Sequence, residues 1–257
     1  MSRTIEDVEK DLRVLRLHGM AVTLGARCLQ EQQTGTNMLD LLGQLVQDEL
    51  DSRHSRLIDR RFKASGLDER KIMQDFDWSF NPKLPKNDIL ELITTKFVQQ
   101  AGDALLIGHP GTGKSHIAKA ISHAAILAGY QVAYREAQLF FEDIFEATQM
   151  GKRKKLFKFF FESDLLIIDD LFLKKRLPET VADDLLDVIL ERYRRRKSTL
   201  ITSNRPIEDW GKLLGDTAAA SAILDRLLHR GHLLKFEGKS YRLKEASKRL
   251  ALKKKNN

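Results

Sequence analysis

The sequence predicts an α/β fold, in which helices cover a mostly parallel sheet and a small all-α domain precedes it. From Ile89 onward short apolar runs alternate with helical segments, whereas the residues before Arg61 show only helical periodicity. Alternation of strands and helices is typical of parallel sheets, whose strands are buried on both faces. The predicted strands are ALLI at Ala104, QVAY at Gln131, LLII at Leu165, STLIT at Ser198 and HLLKF at His232.

The first 64 residues predict helices whose apolar side chains recur at spacings of three and four. These side chains are Val8, Leu12 and Leu15, followed by Met38, Leu41, Leu42, Leu45 and Val46. Asn37 is a predicted N-cap, so the second helix begins there and continues to Arg61. Such a helical domain is either a plain bundle or a docking module for a partner or for another copy, and both interpretations stay open.

The chain divides by composition into four segments. A connector is predicted where Gly66, Pro82 and Pro85 interrupt the periodicity. The predicted segments are a helical domain over residues 1–64, the connector over 65–87, an α/β domain over 88–250 and a basic, disordered tail over 251–257.

Composition excludes several classes of protein. With Cys28 as the single cysteine, an internal disulfide is impossible, and no Cys/His cluster has zinc-site spacing. The sequence contains no apolar run near the ~20 residues that cross a bilayer, and its acidic start is unlike an export signal. We therefore expect a soluble, cytoplasmic protein that does not contact membranes.

The formal net charge is +8, and it lies outside the helical domain. Residues 1–64 hold ten Lys/Arg and ten Asp/Glu, so the excess belongs to residues 65–257. A basic domain is consistent with a polyanionic partner and equally with a solvated surface.

The segment GHPGTGKS, from Gly108 to Ser115, matches the phosphate-binding loop Gly-x4-Gly-Lys-Ser. Glycines let the backbone turn its N–H groups toward phosphate, Lys114 reaches the β and γ oxygens of ATP, and Ser115 can ligate Mg²⁺. The helix that begins near Lys114 adds its positive end. The predicted nucleotide-binding residues are Gly108, His109, Pro110, Gly111, Thr112, Gly113, Lys114, Ser115 and His116.

The run LLIIDD ends a predicted buried strand with two carboxylates, downstream of the loop. Asp169 is expected to hold Mg²⁺ together with Ser115, and Asp170 to orient or deprotonate the attacking water. Two aspartates that merely end a strand are the alternative. Because Asp170 reaches less far than the glutamate common at this place, we expect slow hydrolysis, which suits a switch.

These elements, together with TSNRPIEDW at Thr202, ILDRLLHRG at Ile223 and SYRL at Ser240, resemble one family. The chain resembles the IstB-type ATP-binding helper of insertion-sequence transposition, which is similar to the DnaC helicase loader and the DnaA initiator among the AAA+ ATPases. The resemblance covers nearly the whole chain and is specific from Phe76 onward. It implies a P-loop NTPase fold of the AAA+ type.

The resemblance also implies roles for residues outside the loop. Asn204 corresponds to a sensor of the γ-phosphate or the attacking water, although a turn residue before Pro206 would look the same. Arg226 and Arg230 are candidates for the arginine that enters the neighbouring subunit's nucleotide site. They lie one helical turn apart, and the sequence does not choose between them.

About 20 residues follow the fifth predicted strand, too few for the helical lid usual in AAA+ proteins. We therefore expect no lid and no second sensor arginine. The adenine would be covered by the connector near Phe80 and by the adjacent subunit, so that ATP binding and self-assembly are linked.

The run GKRKKLFKFF carries a basic cluster that, by resemblance to the initiators, contacts DNA. The predicted DNA-binding residues are Lys152, Arg153, Lys154, Lys155 and Lys158. Contact with phosphates and without sequence reading is expected. The interleaved phenylalanines are interpreted as core, and the second cluster, RYRRRKS from Arg192, is either a solvated helix end or a further contact.

The leading interpretation is a regulatory ATPase that forms ATP-dependent oligomers, as a ring or spiral, on double-stranded DNA and recruits or activates a transposase. A DnaC-like loader of a replicative helicase is the close alternative. A small-molecule P-loop kinase would need a closing lid and an acceptor pocket, for which the sequence has no evident place. A non-catalytic DNA-packaging protein would not need Lys114, Asp169 and Asn204 together.

Overall fold

The computed structural model describes residues 3–35, 37–173 and 180–255. It divides the chain into two compact units, Met1–Arg60 and Arg61–Asn257. Within the described ranges, no helix combines the length and the apolar character needed to cross a bilayer. The predicted fold class is confirmed: helices come first, and a parallel sheet with helices follows.

The first unit contains the helices α1 (Ile5–Val14) and α2 (His18–Thr34) and most of α3 (Met38–Ser65). The side chain of Asn37 accepts a hydrogen bond of 2.7 Å from the backbone N–H of Leu39, which confirms the predicted cap. The helix continues past Arg61 to Ser65, where Gly66 takes a left-handed φ of 85°.

Helices α2 and α3 approach closely at a glycine. The backbone N–H of Gly19 donates to the buried carboxylate of Glu49 at 2.6 Å, and a Cβ on Gly19 would lie 2.6 Å from the carbonyl oxygen of Asp48. The guanidinium of Arg27 in α2 donates two hydrogen bonds, of 2.9 and 2.8 Å, to the side-chain carboxylate of Asp48 in α3. Polar contacts therefore join this helix pair.

Many apolar side chains of these helices face solvent. The exposed ones are Ile5, Val14, Leu15, Val22, Leu29, Met38, Leu39, Leu42, Val46 and Leu50, whereas Ala21, Leu24 and Leu45 are buried. An exposed apolar surface of this kind is typical of segments that bind other macromolecules.

The second unit is built on a five-stranded sheet in which all neighbouring strands are parallel. Its strands are β1 (Asp103–Gly108), β2 (Val132–Glu136), β3 (Leu165–Leu171), β4 (Ser198–Ser203) and β5 (Gly231–Phe236). The strand order is β2-β3-β4-β1-β5. Each strand lies where the sequence predicts one.

Helices cover both faces of this sheet. They are α4 (Lys86–Ile93), α5 (Lys96–Gln99), α6 (Lys114–Leu127), α7 (Ala137–Gln149), α8 (Arg153–Glu162), α9 (Val181–Arg194), α10 (Trp210–Leu214), α11 (Thr217–His229) and α12 (Tyr241–Lys255). Helices α7, α8, α9 and α11 share one apolar core with alternate strand residues such as Leu105, Leu166 and Ile201. Helix α6 contributes nothing to that core and packs against strands β1 to β4, so it covers the opposite face.

The last helix differs from expectation at its end. Helix α12 continues through Lys255, so residues 251–255 of the expected disordered tail are helical.

A fully buried arginine joins α9 to the beginning of β4. The guanidinium of Arg192 donates to the backbone carbonyls of Phe160, Ser163 (2.9 Å) and Ser198, and to the hydroxyl of Thr199 (3.0 Å). The carbonyls of Phe160 and Ser163 belong to the end of α8, where orphan acceptors need partners. Arg192 therefore satisfies the end of one helix and anchors it to the sheet.

Asp103 lies in the same buried region, at the first residue of β1. Its carboxylate accepts a hydrogen bond of 2.6 Å from the backbone N–H of Thr199. Burial raises the pKa of Asp103 to about 7, and that hydrogen bond and the charge of Arg192 oppose the rise. Asp103 and Arg192 thus both contact Thr199 in this buried region.

The variant Arg192→Met is expected to lower the free energy of unfolding by about 3–5 kcal/mol, because it leaves several buried carbonyl oxygens without their hydrogen-bond donor. Urea-induced unfolding followed by circular dichroism measures the change. Arg194→Met is the matched control, since Arg194 is 75% exposed and pairs with nearby Glu191 on its own helix. We expect less than about 0.5 kcal/mol there; equal effects in the two variants would contradict the structural role of Arg192.

Candidate functional site

The predicted site residues of three strands meet at one edge of the sheet. Strands β1, β3 and β4 are neighbours and run parallel, so their carboxyl ends lie side by side. The connection that leaves β1 leads to β2 on one side of β1, whereas the connection that leaves β4 leads to β5 on the other side. In open α/β sheets, ligands bind in the crevice where such connections diverge. The loop after β1, the aspartates of β3 and Asn204 after β4 therefore share one edge.

Two glycines of the loop are closely enclosed. Gly111 and Gly113 have φ values of 77° and 106°, which favour glycine. A Cβ on Gly111 would lie 2.2 Å from the hydroxyl of Ser240, and one on Gly113 would lie 2.7 Å from the ring of Phe76. The loop is thus held between the connector and the chain after β5.

The Lys114 side chain is buried inside the loop. Its ammonium donates to the carbonyls of Gly108 (2.8 Å) and His109 (2.9 Å) and to the side-chain oxygen of Asn204 (2.6 Å). The Asn204 amide in turn donates to Asp170 at 3.3 Å. Burial lowers the pKa of Lys114 to about 8, because the charged form loses hydration.

The Asp169 carboxylate is buried and hydrogen-bonded at both oxygens. Tyr134 donates its hydroxyl to Oδ2 at 2.6 Å, and Thr202 donates to Oδ1 at 2.5 Å. The Thr202 hydroxyl also accepts from the backbone N–H of Asp170 at 2.8 Å. Burial, followed by the charge of Asp169, raises the pKa of Asp170.

The backbone of β3 is irregular at these carboxylates. Asp170 and Phe172 have φ values of 56° and 66°, and the register with β4 shifts between Ile168 and Leu171. The ring of Phe172 is buried against Trp210, with centroids 5.2 Å apart. Left-handed φ values at non-glycine residues are strained, and strain held by packing clusters at functional sites.

A cavity of about 210 Å³ lies over the loop. It is lined by Pro110, Gly111, Gly113, Lys114, Ser115, His116, Asp170, Leu173, Asn204, Tyr241 and Arg242. Most of the predicted nucleotide-binding residues, with Asp170 and Asn204, therefore surround one cavity. Asp169 is 2% exposed and is not among the residues that line this cavity.

A second cavity, of about 120 Å³, adjoins the first at Gly113, His116 and Tyr241. The connector lines it with Asp75, Phe76, Asp77, Phe80 and Asn81. The ring of Phe76 packs edge-on against His116, with centroids 5.4 Å apart. Phe80 thus lines a cavity next to the loop, and its role as a cover for the base stays a prediction.

Arg242, at the start of α12, is a site residue that the sequence analysis missed. The length of chain after β5 led us to expect no second arginine, yet Arg242 lines the larger cavity, and its charge acts on Lys114 and Asp170. The reason is local: the backbone N–H of Tyr241 donates to the carbonyl of Gly111 at 2.9 Å. This hydrogen bond holds the beginning of α12 against the loop and so brings Arg242 to the cavity.

The two predicted trans-acting arginines have different surroundings. Arg230 donates to the carbonyl of Tyr193 at 2.9 Å and lies 4.1 Å from the centre of the Tyr193 ring. Arg226 bonds to the carbonyl of Ala222 (2.8 Å) and pairs loosely with Asp225 (3.7 Å), both on its own helix. Arg230 is thus fixed against α9, whereas both contacts named for Arg226 lie within α11.

The predicted DNA-binding cluster lies at the beginning of α8. Its exposed members are Lys152, Lys154, Lys155 and Lys158. Arg153 is half-buried, pairs with Asp184 at 2.8 Å and lies 4.2 Å from the ring centre of Phe157. Phe157 and Phe160 are buried, and Phe159 and Phe161 pack against the core, which confirms the interpretation of these aromatics.

The second basic cluster is largely occupied by contacts within the protein. Arg192 is buried, and Arg194 and Arg195 both pair with Glu191. Lys197 pairs with Asp164 at 2.7 Å. These contacts favour the structural interpretation of RYRRRKS over a nucleic-acid contact.

Comparison with known proteins identifies relatives of similar sequence. The ATP-binding protein of insertion sequence IS5376 from Geobacillus stearothermophilus is 34% identical over 206 residues, 80% of this chain and 81% of the relative. The ATP-binding protein of insertion sequence IS21 from Pseudomonas aeruginosa is 30% identical over 245 residues, 95% of this chain and 91% of the relative.

Solved structures share the fold. The DnaC helicase loader matches with a TM-score of 0.51 and 24% identity, over 62% of this chain and 98% of that protein. AMPPCP-bound DnaA from Aquifex aeolicus matches with a TM-score of 0.55 and 22% identity, over 67% of this chain and 51% of that protein. A family model described as IstB-like ATP binding protein matches residues 10–249. The chain, an α/β protein with an AAA+ fold, therefore belongs to the family of IstB-like ATP-binding proteins.

Proposed function

We propose that this chain hydrolyses ATP slowly, assembles with copies of itself on double-stranded DNA and recruits or stimulates a transposase. The observation that carries the proposal is the hydrogen-bonded chain from Lys114 through Asn204 to Asp170, which joins the phosphate loop to two other strands. The proposed role in transposition is supported by the relatives, which are ATP-binding proteins of insertion sequences.

Bound ATP would exchange the partners of Lys114. The ammonium is held by Asn204 and by two loop carbonyls at the place where the loop directs its N–H groups. Phosphate oxygens are stronger acceptors for an ammonium than neutral carbonyls. On binding, Lys114 would turn to the β and γ oxygens and release the Asn204 oxygen toward the reacting centre.

The donor set suits Mg²⁺ bound together with a nucleotide. Among the described residues, no cluster of three or more His, Cys, Asp or Glu could hold a metal ion by itself. A hydroxyl from Ser115 and a carboxylate from Asp169 are the oxygen ligands that Mg²⁺ uses beside phosphates and water. The ion would neutralise phosphate charge, while Asp170 would accept the proton of the attacking water.

Nucleotide affinity is expected to fall as the pH rises through about 8. Lys114 has a pKa of about 8 before binding, and a phosphate partner raises the pKa of the bound state. Below that pH the lysine is already charged, whereas above it each binding event takes up a proton. The dissociation constant should then rise by up to about tenfold per pH unit.

Titration of a fluorescent ATP analogue from about pH 7 to about pH 9 measures this dependence. Lys114→Met is the control, since it should bind weakly and without the rise. A dissociation constant that stays flat in the parent protein, or that rises equally in the control, would contradict the role of Lys114.

The nucleotide site is completed in our proposal by Arg226 of a neighbouring copy. The side chain of Arg226 is 33% exposed, and no residue of another element holds it among the described contacts, whereas Arg230 is fixed against Tyr193. A guanidinium stabilises the charge of a loose phosphoryl-transfer state. A site completed in this way links ATP binding to assembly as a ring or spiral.

Mixing two inactive variants tests this arrangement. Arg226→Ala leaves a nucleotide site intact, and Lys114→Ala leaves the arginine intact, so random mixing should restore about a quarter of the interfaces. ATPase activity with DNA is the measurement, and each variant alone is the control. Rescue of Arg230→Ala in place of Arg226→Ala would assign the role to Arg230, and no rescue of either would contradict a trans-acting arginine.

The lysines at the beginning of α8 are the proposed DNA surface. Lys152, Lys154 and Lys155 are exposed, and the first turn of α8 carries no acidic residue. Acidic residues stabilise the beginning of a helix and basic ones destabilise it, so this charge pattern opposes local stability. A phosphate ligand provides a reason for it, since helix N–H groups and lysines both favour an anion.

Replacing Lys152, Lys154 and Lys155 with glutamine should weaken duplex DNA binding similarly for all sequences. Each lost phosphate contact should reduce the slope of log affinity against log salt by roughly one. Fluorescence anisotropy at several salt concentrations measures both. Glutamines at the exposed Lys83, Lys96 and Lys212 give a control with the same change of charge, and equal weakening there would indicate diffuse attraction instead of a site.

The exposed apolar side chains of the first three helices are the proposed surface for the client protein. A transposase is favoured over a replicative helicase because the curated relatives belong to insertion sequences. The likeness to the DnaC helicase loader concerns the fold. Affinity capture of each purified candidate by the full-length chain distinguishes the two clients.

A further inference from the structure

The hydroxyl of Tyr134 contacts the carboxylate that our proposed function gives to the metal. Tyr134 lies on β2 and pairs with Ile167 of β3, while the next residue on the same face, Glu136, pairs with Asp169. Tyr134 and Asp169 are thus diagonal neighbours, a separation that a long aromatic side chain can bridge. Its hydroxyl donates to Oδ2 at 2.6 Å, and both residues are buried.

Thr202 completes the arrangement from the opposite strand. Strand β3 lies between β2 and β4, and the Thr202 hydroxyl of β4 donates to Oδ1 of Asp169 at 2.5 Å. The backbone N–H of Asp170 supplies a hydrogen to Thr202, which leaves the hydroxyl proton free for Asp169. One donor on each side therefore fixes the rotation of the carboxylate about its side-chain bond.

The Tyr134 hydroxyl is the donor in this contact, because a carboxylate oxygen can only accept. A carboxylate offers about four acceptor positions, so two remain after Tyr134 and Thr202 have donated.

We propose that Tyr134 and Thr202 are positioning residues that hold the Asp169 carboxylate in the orientation required by the water shell of Mg²⁺ bound with ATP. The inference rests on the proposed function, since it concerns the same site. Neither residue is among those that line the cavity over the loop. Both act through Asp169, as the partners of metal ligands do in many metal sites.

The variant Tyr134→Phe removes the hydroxyl and keeps the ring. The ring contact matters, because the ammonium of Lys119 lies 5.9 Å from the ring centre and pairs with Asp68 at 2.7 Å. We expect the Mg²⁺ concentration for half-maximal binding of a fluorescent ATP analogue to rise about tenfold, the loss typical of a broken contact to a metal ligand. Affinity for the same analogue in EDTA should stay within about twofold.

Thr202 provides an independent pair of variants in the full-length chain. Thr202→Val removes the hydroxyl and should raise the Mg²⁺ requirement, while Thr202→Ser keeps it and should restore parental behaviour. Tyr130→Phe is the control for loss of a tyrosine hydroxyl outside the site. Thermal unfolding of every variant separates a lost fold from a misplaced carboxylate.

The outcomes are distinct. An unchanged Mg²⁺ requirement in Tyr134→Phe and Thr202→Val, or an equal loss of affinity with Mg²⁺ and in EDTA, would overturn the positioning role. If Tyr134→Phe did not fold, the difference between Thr202→Val and Thr202→Ser would decide the matter. Nucleotide binding of the parent protein that ignored Mg²⁺ would instead contradict the proposed function.

Discussion

A buried ammonium group sits at the centre of this site: Lys114 is held by two loop carbonyls and by the amide oxygen of Asn204. Neutral acceptors compensate a buried charge only partly, which is why the pKa of Lys114 falls to about 8. An anionic ligand would therefore stabilise the charged form of Lys114. Asn204 accepts a hydrogen bond from Lys114 and donates one to Asp170. A ligand that binds Lys114 would therefore also change the surroundings of the Asp170 carboxylate.

At the same edge of the sheet, the backbone that carries Asp170 adopts a conformation that non-glycine residues disfavour. The backbone at Asp170 is left-handed, and packing of Phe172 on Trp210 secures the bend. Strain of this kind persists only where the surroundings over-determine it. The segment after β5 adds a constraint from outside, since the Tyr241 backbone bonds to the phosphate loop and Arg242 follows it into the cavity. A short helix thus brings to the site the kind of group that a lid would carry.

Charge is used differently on the two basic segments. Arg192 satisfies carbonyls at the end of α8 and is fully buried, so its role is internal. The lysines at the opposite end of the same helix are exposed and lie where the helix dipole disfavours them. Helix α8 is consequently anchored to the sheet at one end and presents its charge at the other.

Much of the fold and the phosphate loop could be predicted from the sequence, because both depend on local pattern. Short apolar runs placed all five strands, and glycine spacing placed the loop before α6. Contacts between distant segments could not be predicted in this way. Tyr134 is 35 residues from Asp169 in sequence, and only strand order brings them together. Arg242 was missed for the same reason: its position depends on how the chain after β5 folds back on the loop, which no local periodicity records.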